Sequence, residues 1–117
     1  MLQHVTLEVR PDQVRACVAF WELLGFTELE PPPILKGRFT WIGKDDTHIH
    51  LVPLDTPAVP TEGHTAVVSD DAEGTVATLR ENGFDPQPGS NAWNAPRWLK
   101  LSRSRSTARA RITVATG

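Results

Sequence analysis

Two histidines in the segment DDTHIHLVP, residues 45–53, are the clearest candidates for chemistry in this 117-residue chain. Side chains alternate between the two faces of a β-strand, so His48 and His50 share one face while Ile49 and Leu51 share the other. Neutral imidazoles bind transition metals, and polar side chains also line the solvated face of many sheets. The pair therefore either ligates a metal in a cleft or lies on a wet sheet surface. The remaining histidines of the chain are His4 and His64.

The composition is that of a single globular domain of the cytoplasm. A chain of 117 residues is long enough to bury one core. No run approaches the ~18 consecutive apolar residues of a transmembrane helix, and the opening MLQHVTLEVR lacks the features of a secretory signal. The single cysteine, Cys17, cannot form an intrachain disulfide, which fits a reducing compartment. We expect a cytoplasmic protein with no membrane partner, in which Cys17 is a buried, inert thiol.

Acidic and basic residues are unevenly distributed along the chain. Residues 1–96 contain all fourteen acidic residues and six basic ones, a net charge of −8, whereas residues 97–117 contain six basic residues and no acidic one. Three readings of this basic end are open: an altered reading frame, a native strand pair with a basic outer face, or a nucleic-acid arm. The arm is disfavoured because the basic run has no interleaved aromatic residue beyond Trp98 and the acidic remainder repels DNA. We expect no nucleic-acid partner.

Hydrophobic periodicity predicts the order β-α-β-β-β, followed by the same order again. Pro11 opens the first helix, whose apolar residues follow i, i+3, i+4, i+7 spacing until Gly25 ends it. Asp71 and its neighbours supply N-cap chemistry for the second helix, which Asn82 and Gly83 close. A turn is predicted at residues 43–46. Predicted strands span residues 2–9, 26–30, 38–42, 47–53, 64–68, 97–101 and 110–115, and a short extended piece begins at Phe84.

The two halves of the chain are similar in sequence. The segment VRACVAFWELLGFTELE parallels AEGTVATLRENGFDPQP, and in each a helix ends in Gly-Phe. Two copies of one unit predict a pseudo-symmetric domain. We predict an α+β fold of two βαβββ modules, at about residues 1–53 and 63–117, joined by a proline-bearing linker at 54–62. Residues 99–117 are atypical in sequence for such a module.

The motifs HVTLEV, FWELLGF, IHLVP, GHTAVV and VATLRENGF resemble those of the vicinal oxygen chelate superfamily, which includes glyoxalase I, bleomycin-resistance proteins and extradiol dioxygenases. The resemblance covers residues 2–98. It implies that the two modules form an incomplete, barrel-like mixed sheet with a concave cleft. It also implies that the cleft holds a small-molecule ligand and a divalent metal such as Zn, Fe, Ni, Co or Mn, and that two chains form a homodimer.

The same resemblance assigns the site residues. It carries metal ligation onto His4, His50 and His64, from the first, fourth and fifth strands. The glutamate that family members usually supply from the eighth strand is missing, and Thr113 is the residue nearest its place. Glu8 lies about 13 Å along its strand from His4, too far for direct ligation. Residues expected to line the cleft or its rim are Glu8, Trp41, His48, Trp93 and Trp98.

Two functions are consistent with these residues, and the atypical residues 99–117 leave open a third possibility, a degenerate or structural member whose cleft binds nothing. The first is a metal-dependent protein with lyase, isomerase or dioxygenase-type chemistry, in which the ion binds two neighbouring oxygens of the substrate as a Lewis acid. The missing glutamate argues against glyoxalase I activity itself, and the catalytic base is unknown. The second is a metal-free protein that sequesters a ligand or drug, as bleomycin-resistance proteins do. The acidic charge of residues 1–96 and the tryptophans are compatible with it.

Overall fold

The computed structural model of the protein describes residues 1–58, 65–88, 99–103 and 110–114. The chain divides into two compact units, Met1–Val59 and Pro60–Gly117. Both units contain helix and strand, so the fold class is α+β, as the sequence predicts.

The first unit is a four-stranded mixed sheet with one helix. Its elements are β1 (His4–Val9), α1 (Val14–Leu23), β2 (Thr27–Leu29), β3 (Thr40–Lys44) and β4 (Thr47–Pro53), with 3-10 turns at Pro11–Gln13 and Pro33–Leu35. The strands follow the order β1-β4-β3-β2, in which β1 runs parallel to β4 and the other neighbours are antiparallel. The sheet is open and is not closed into a barrel.

Helix α1 ends where the sequence predicts, but it begins at Val14, because the residues from Pro11 to Gln13, where the sequence predicts its start, form a 3-10 turn. Pro11 opens the 3-10 turn that leads into it, a position where the missing amide hydrogen costs nothing. Gly25 follows its last turn with φ +88°, a left-handed conformation that glycine adopts without strain. The Phe26 amide then donates back to the Trp21 carbonyl at 3.2 Å. This closure turns the chain directly into β2.

The core of the first unit lies between α1 and one face of the sheet. Ile42, Ile49 and Leu51 share that face and are almost fully buried, as is Trp21 on the helix. Lys44 lies two residues after Ile42 on β3 and therefore on the same face. Its ammonium donates to the Leu24 carbonyl at 3.1 Å, at the end of α1. The helix therefore covers the Ile42 face of the sheet. Trp21 is therefore part of this core.

The turn between β3 and β4 differs from its prediction. The third strand was predicted at residues 38–42 with a turn over 43–46, but β3 extends to Lys44, which pairs with Thr47. The turn is the two residues Asp45 and Asp46, and Asp45 has φ +53°. Aspartate tolerates this left-handed conformation, and two-residue turns of this hand match the twist of paired strands. Gly43 is consequently a strand residue.

The second unit has the same order of elements. It contains β5 (Thr65–Ser69), α2 (Ala72–Glu81), β6 (Gln87–Pro88), β7 (Leu99–Arg103) and β8 (Ala110–Val114). The order in its sheet is β5-β8-β7-β6. In this unit the last strand, β8, runs antiparallel to the first strand, β5. In the first unit the corresponding strands, β4 and β1, run parallel. The two sheets thus share strand order and differ in strand direction.

Helix α2 has the predicted ends. The Asp71 carboxylate accepts a hydrogen bond from the Gly74 amide at 2.9 Å, which caps the N-terminus. Gly83 follows the C-terminus with φ +86°. Leu79 is fully buried. Neither helix in the described ranges is long and apolar enough to cross a membrane.

Truncation of Leu51 tests the assignment of the core. Leu51 is fully buried (0% exposed), whereas Leu54, just beyond β4, is 39% exposed. We expect Leu51→Ala to lower the free energy of unfolding by about 2–5 kcal/mol, because apolar contacts are lost and a cavity remains. Leu54→Ala, the matched control, should cost about 1 kcal/mol or less. Urea denaturation measures both, and equal losses would contradict this core.

Candidate functional site

Four ring side chains gather on the face of the first sheet opposite α1. In the register of the sheet, His4 lies beside His48, and Trp41 lies beside His50. Alternation places all four rings on the face that does not carry Ile42, Ile49 and Leu51. We call His4, Trp41, His48 and His50 the histidine face. His4 is exposed, and the other three are half-buried.

Three of these rings form one continuous stack across three strands. The ring centroids of His50 and Trp41 are 4.0 Å apart with an interplanar angle of 1°, and those of His50 and His4 are 4.3 Å apart at 15°. His50 lies on β4, between the strands that carry His4 and Trp41. One ring therefore covers each flat side of His50.

His48 lies beside the stack and is inclined to it. Its ring centroid is 6.0 Å from that of His50, with an interplanar angle of 47°. The His48 ring has room because residue 43 is a glycine. A Cβ at position 43 would lie 3.2 Å from His48 Cδ2 and 2.6 Å from Leu29 Cδ1. Any larger residue at position 43 would have to displace one of these side chains. Gly43 is thus part of the site, whereas the sequence predicts a turn at this position.

Two ring nitrogens of the histidine face are buried and lack partners. His48 Nδ1 and His50 Nε2 have no hydrogen bond within the described part of the chain. His4 differs, because its Nδ1 pairs with Gln3 Oε1. Leaving a buried polar atom unpaired costs about 1–3 kcal/mol. Two such atoms on neighbouring rings indicate a place where a ligand group or an ion would be held.

The electrostatics of the cluster favour neutral imidazole at its centre. Burial lowers the pKa of His50, and the nearby charges of His4 and His48 lower it further. The neutral ring carries one N–H donor and one lone pair. His50 can therefore donate to a ligand, accept from it or ligate a metal at neutral pH.

The predicted cleft residue Glu8 has a partner elsewhere. It lies on β1 beside Val52, further along the strand than His4. Its carboxylate accepts a hydrogen bond from the Ala58 amide at 3.2 Å. This bond links β1 to the chain that follows β4. Three other predicted site residues, His64, Trp93 and Trp98, lie outside the described residues. Of the predicted set, the structure brings together His4, Trp41, His48 and His50.

The arrangement of His4 and His50 does not fit shared ligation of one metal ion. The donor lone pair of an imidazole nitrogen lies in the plane of its ring. In two rings stacked nearly parallel, these lone pairs point in parallel directions and cannot meet at an ion about 2 Å from each nitrogen. Within the described ranges, no three His, Cys, Asp or Glu side chains are grouped to hold a metal.

A cavity of about 340 Å³ in the first unit is lined by none of the four rings of the histidine face. Its charged lining residues include Glu28, Glu30 and Lys36. Glu28 is paired with Arg15 through two hydrogen bonds of 2.9 and 3.0 Å, and this guanidinium lowers the pKa of the carboxyl group. Glu30 is paired with Lys36 at 2.6 Å. The unpartnered nitrogens therefore make the histidine face the stronger candidate.

The chain was compared with protein-family models, with curated proteins and with solved structures, and nothing matched in any of the three.

The lowered pKa of His50 predicts a specific dependence of stability on pH. Because the folded pKa lies below the ordinary value of 6.5, folding favours the neutral ring. This contribution is complete above about pH 6.5 and is lost as the pH falls through the folded pKa. We expect His50→Phe, which keeps a ring in the stack and does not titrate, to show a smaller loss of stability below pH 6.5. Urea denaturation across pH measures the difference, and identical slopes would contradict it.

Proposed function

We propose that the protein is a small-molecule-binding member of the vicinal oxygen chelate superfamily and that its ligand is bound at the histidine face. One observation carries the proposal: His48 Nδ1 and His50 Nε2 are buried without partners on a sheet face that α1 does not cover. Ligand oxygen or nitrogen atoms would satisfy both atoms. Binding sites commonly combine apolar walls with a few such convergent polar groups.

The proposal includes the architecture that the resemblance implies. We take the two units as two βαβββ modules of one incomplete barrel, a view supported by their common order of elements and strands. The antiparallel β5–β8 pair, where β1–β4 is parallel, is consistent with the atypical sequence of residues 99–117. A homodimer is part of the same proposal and rests on the resemblance alone, whereas a cytoplasmic location rests on the single cysteine.

Metal-free binding of a ligand is the form of this function that the geometry supports best. The stack holds His4 and His50 in orientations that cannot share an ion, yet leaves ring edges for hydrogen bonding. The net charge of −8 on residues 1–96 favours a cationic ligand. A drug of the bleomycin type is cationic and has numerous hydrogen-bonding groups.

Metal-dependent lyase, isomerase or dioxygenase-type chemistry is the second candidate. It is favoured by the two unpartnered nitrogens together with the lowered pKa of His50, because metal ligation requires neutral imidazole. A bound metal would act as a Lewis acid on substrate oxygens. The residues of this chain would supply its imidazole donors, and no residue is assigned as the catalytic base.

Ligand binding is tested with chelator-treated protein and metal-free bleomycin, monitored through the imidazole resonances of the four histidines. We expect saturable shifts of the His48 and His50 signals without chemical change to the drug. Trp41→Leu removes the ring that supports His50 and should weaken binding by roughly threefold to tenfold, the equivalent of one aromatic contact. Ile34→Ala, which truncates an exposed apolar side chain elsewhere, is the control and should change nothing.

The two candidates give different outcomes in a parallel experiment with catechol, a compound with two neighbouring oxygens. The metal-free function predicts that added Zn²⁺ or Fe²⁺ produces no turnover of catechol. Metal-dependent turnover of catechol that is lost in His50→Phe would favour the second candidate instead. If neither compound shifts the His48 or His50 resonances, binding of these ligand classes at the histidine face is wrong.

A further inference from the structure

The cavity of about 340 Å³ in the first unit is formed mainly by the segment that joins β2 to β3. Residues of β2, together with Thr40 of β3 and Pro53 of β4, complete its lining. Its volume lies at the lower end of the roughly 300–1,000 Å³ that ligand pockets occupy in proteins. The cavity therefore suits a small molecule of a few chemical groups.

The segment that joins β2 to β3 holds its shape through prolines and short-range hydrogen bonds. Proline fixes φ near −65°, and three prolines follow one another at residues 31–33. The Leu35 carbonyl accepts hydrogen bonds from the amides of Arg38 and Phe39, at 3.0 and 3.3 Å. Gly37, in the same turn, has φ +83°, a conformation that glycine adopts without strain. The backbone that carries Arg38 and Phe39 is thus in place before a ligand binds.

The charged side chains of the cavity leave one cation without an anionic partner. Glu30 pairs with Lys36 at 2.6 Å, and Glu28 pairs with Arg15, which lies outside the lining, through two hydrogen bonds. Within the described part of the chain, Arg38 forms no ion pair. One positive charge is therefore left at the cavity, although residues 1–96 are acidic overall.

The Arg38 guanidinium lies over the ring of Phe39. Its central carbon is 5.8 Å from the ring centroid, within the ~6 Å of a cation–π contact. A guanidinium presents its N–H donors in a planar fork that matches the two oxygens of a carboxylate. Because a cation–π contact uses no hydrogen-bond acceptor, these donors stay available to a ligand. Phe39 thus orients Arg38 without occupying its donors.

The rest of the lining supplies apolar walls. Leu29, Pro31, Phe39 and Pro53 line the cavity, and each is half-buried. Ligand pockets commonly combine such walls with a single charged group that fixes the orientation of the ligand. The ligand that complements this cavity carries one carboxylate on a compact apolar body.

We infer that this cavity is a second ligand site, specific for a small carboxylic acid with a compact apolar body such as an aromatic ring. The Arg38 guanidinium binds the carboxylate, and Phe39 positions Arg38 and contacts the apolar body. The inference goes beyond the function proposed above. None of the four rings of the histidine face lines the cavity, and the ligand has the opposite charge.

The experiment is a titration of the full chain with benzoate at about pH 7.5, followed through the side-chain resonances of Arg38 and Phe39. We expect saturable shifts of both with a dissociation constant of about 1 mM, as suits a ligand of this size. Benzamide keeps the ring without the charge, and acetate keeps the charge without the ring. Each should bind roughly tenfold more weakly, because one of the two contacts is lost.

A pair of arginine variants separates the contact from the overall charge. Arg38→Gln should weaken benzoate binding by about tenfold or more, since a charge-assisted hydrogen bond is lost. Arg80→Gln, the matched control, removes the same charge from an exposed position on α2 and should leave binding unchanged. Near-ultraviolet circular dichroism of both variants should match that of the unmodified chain.

The role of Phe39 has a test of its own. Phe39→Leu keeps an apolar wall without the ring and should weaken benzoate binding by roughly threefold to tenfold. The preference for benzoate over benzamide should also narrow, because Arg38 is no longer held in place. Loss of apolar contact alone would weaken both compounds equally, so an unchanged preference would overturn the positioning role of Phe39.

Several results would overturn the site itself. It is wrong if benzamide binds as tightly as benzoate, or if Arg38→Gln behaves like Arg80→Gln. It is also wrong if benzoate shifts only histidine resonances, or gives no saturable shift up to about twenty times the expected dissociation constant. The proposed function would survive these results, because its test follows bleomycin at His48 and His50. Conversely, absence of bleomycin binding would leave the benzoate result unaffected.

Discussion

Burial of Ile49 and Leu51 against α1 determines where the side chains of the candidate site point. Both residues are inaccessible to solvent, and the period of a strand is two, so the intervening histidine must face the other way. A slip of one residue in the pairing of β4 would put His48 and His50 into the core and Leu51 into solvent. The hydrophobic effect thus fixes the register, and the register in turn fixes the histidine face.

The histidine face is energetically unfavourable by itself and depends on this register. Each unpaired buried nitrogen costs about 1–3 kcal/mol, while each stacked ring pair returns only about 0.5–1.5 kcal/mol. Charge would make the cluster worse, because burial removes the hydration of a cationic His50 and because His4 and His48 lie beside it. The lowered pKa of His50 follows from this arrangement. The core holds this cluster in place although two of its nitrogens lack hydrogen bonds. Such a cluster is suited to binding, because a ligand can form the hydrogen bonds that the fold leaves unmade.

Local patterns in the sequence predicted most of the first unit, and long-range contacts explain what was missed. Strand β4 and the C-terminal end of α1 depend on neighbouring residues, and both follow the prediction. The stack of His4, His50 and Trp41 joins three strands, and its ring orientations depend on rotamers that spacing cannot predict. Gly43 was misassigned because glycine is common in turns, and its partners Leu29 and His48 are known only from the paired strands. In the second unit, the order of the elements along the chain does not predict the direction of the strands. That direction differs from the one in the first unit.

The stack also limits the kind of ligand that His50 can bind. Its two flat sides are covered by His4 and Trp41, so an incoming group can reach only the edge of the ring. The edge of an imidazole carries its nitrogens, and these form hydrogen bonds or coordinate metals. Flat stacking of a drug on His50 would require one neighbour to leave. Recognition of a ligand at the histidine face would therefore be directional and polar. Trp41 would support His50 and would provide apolar contact at the margin of the site.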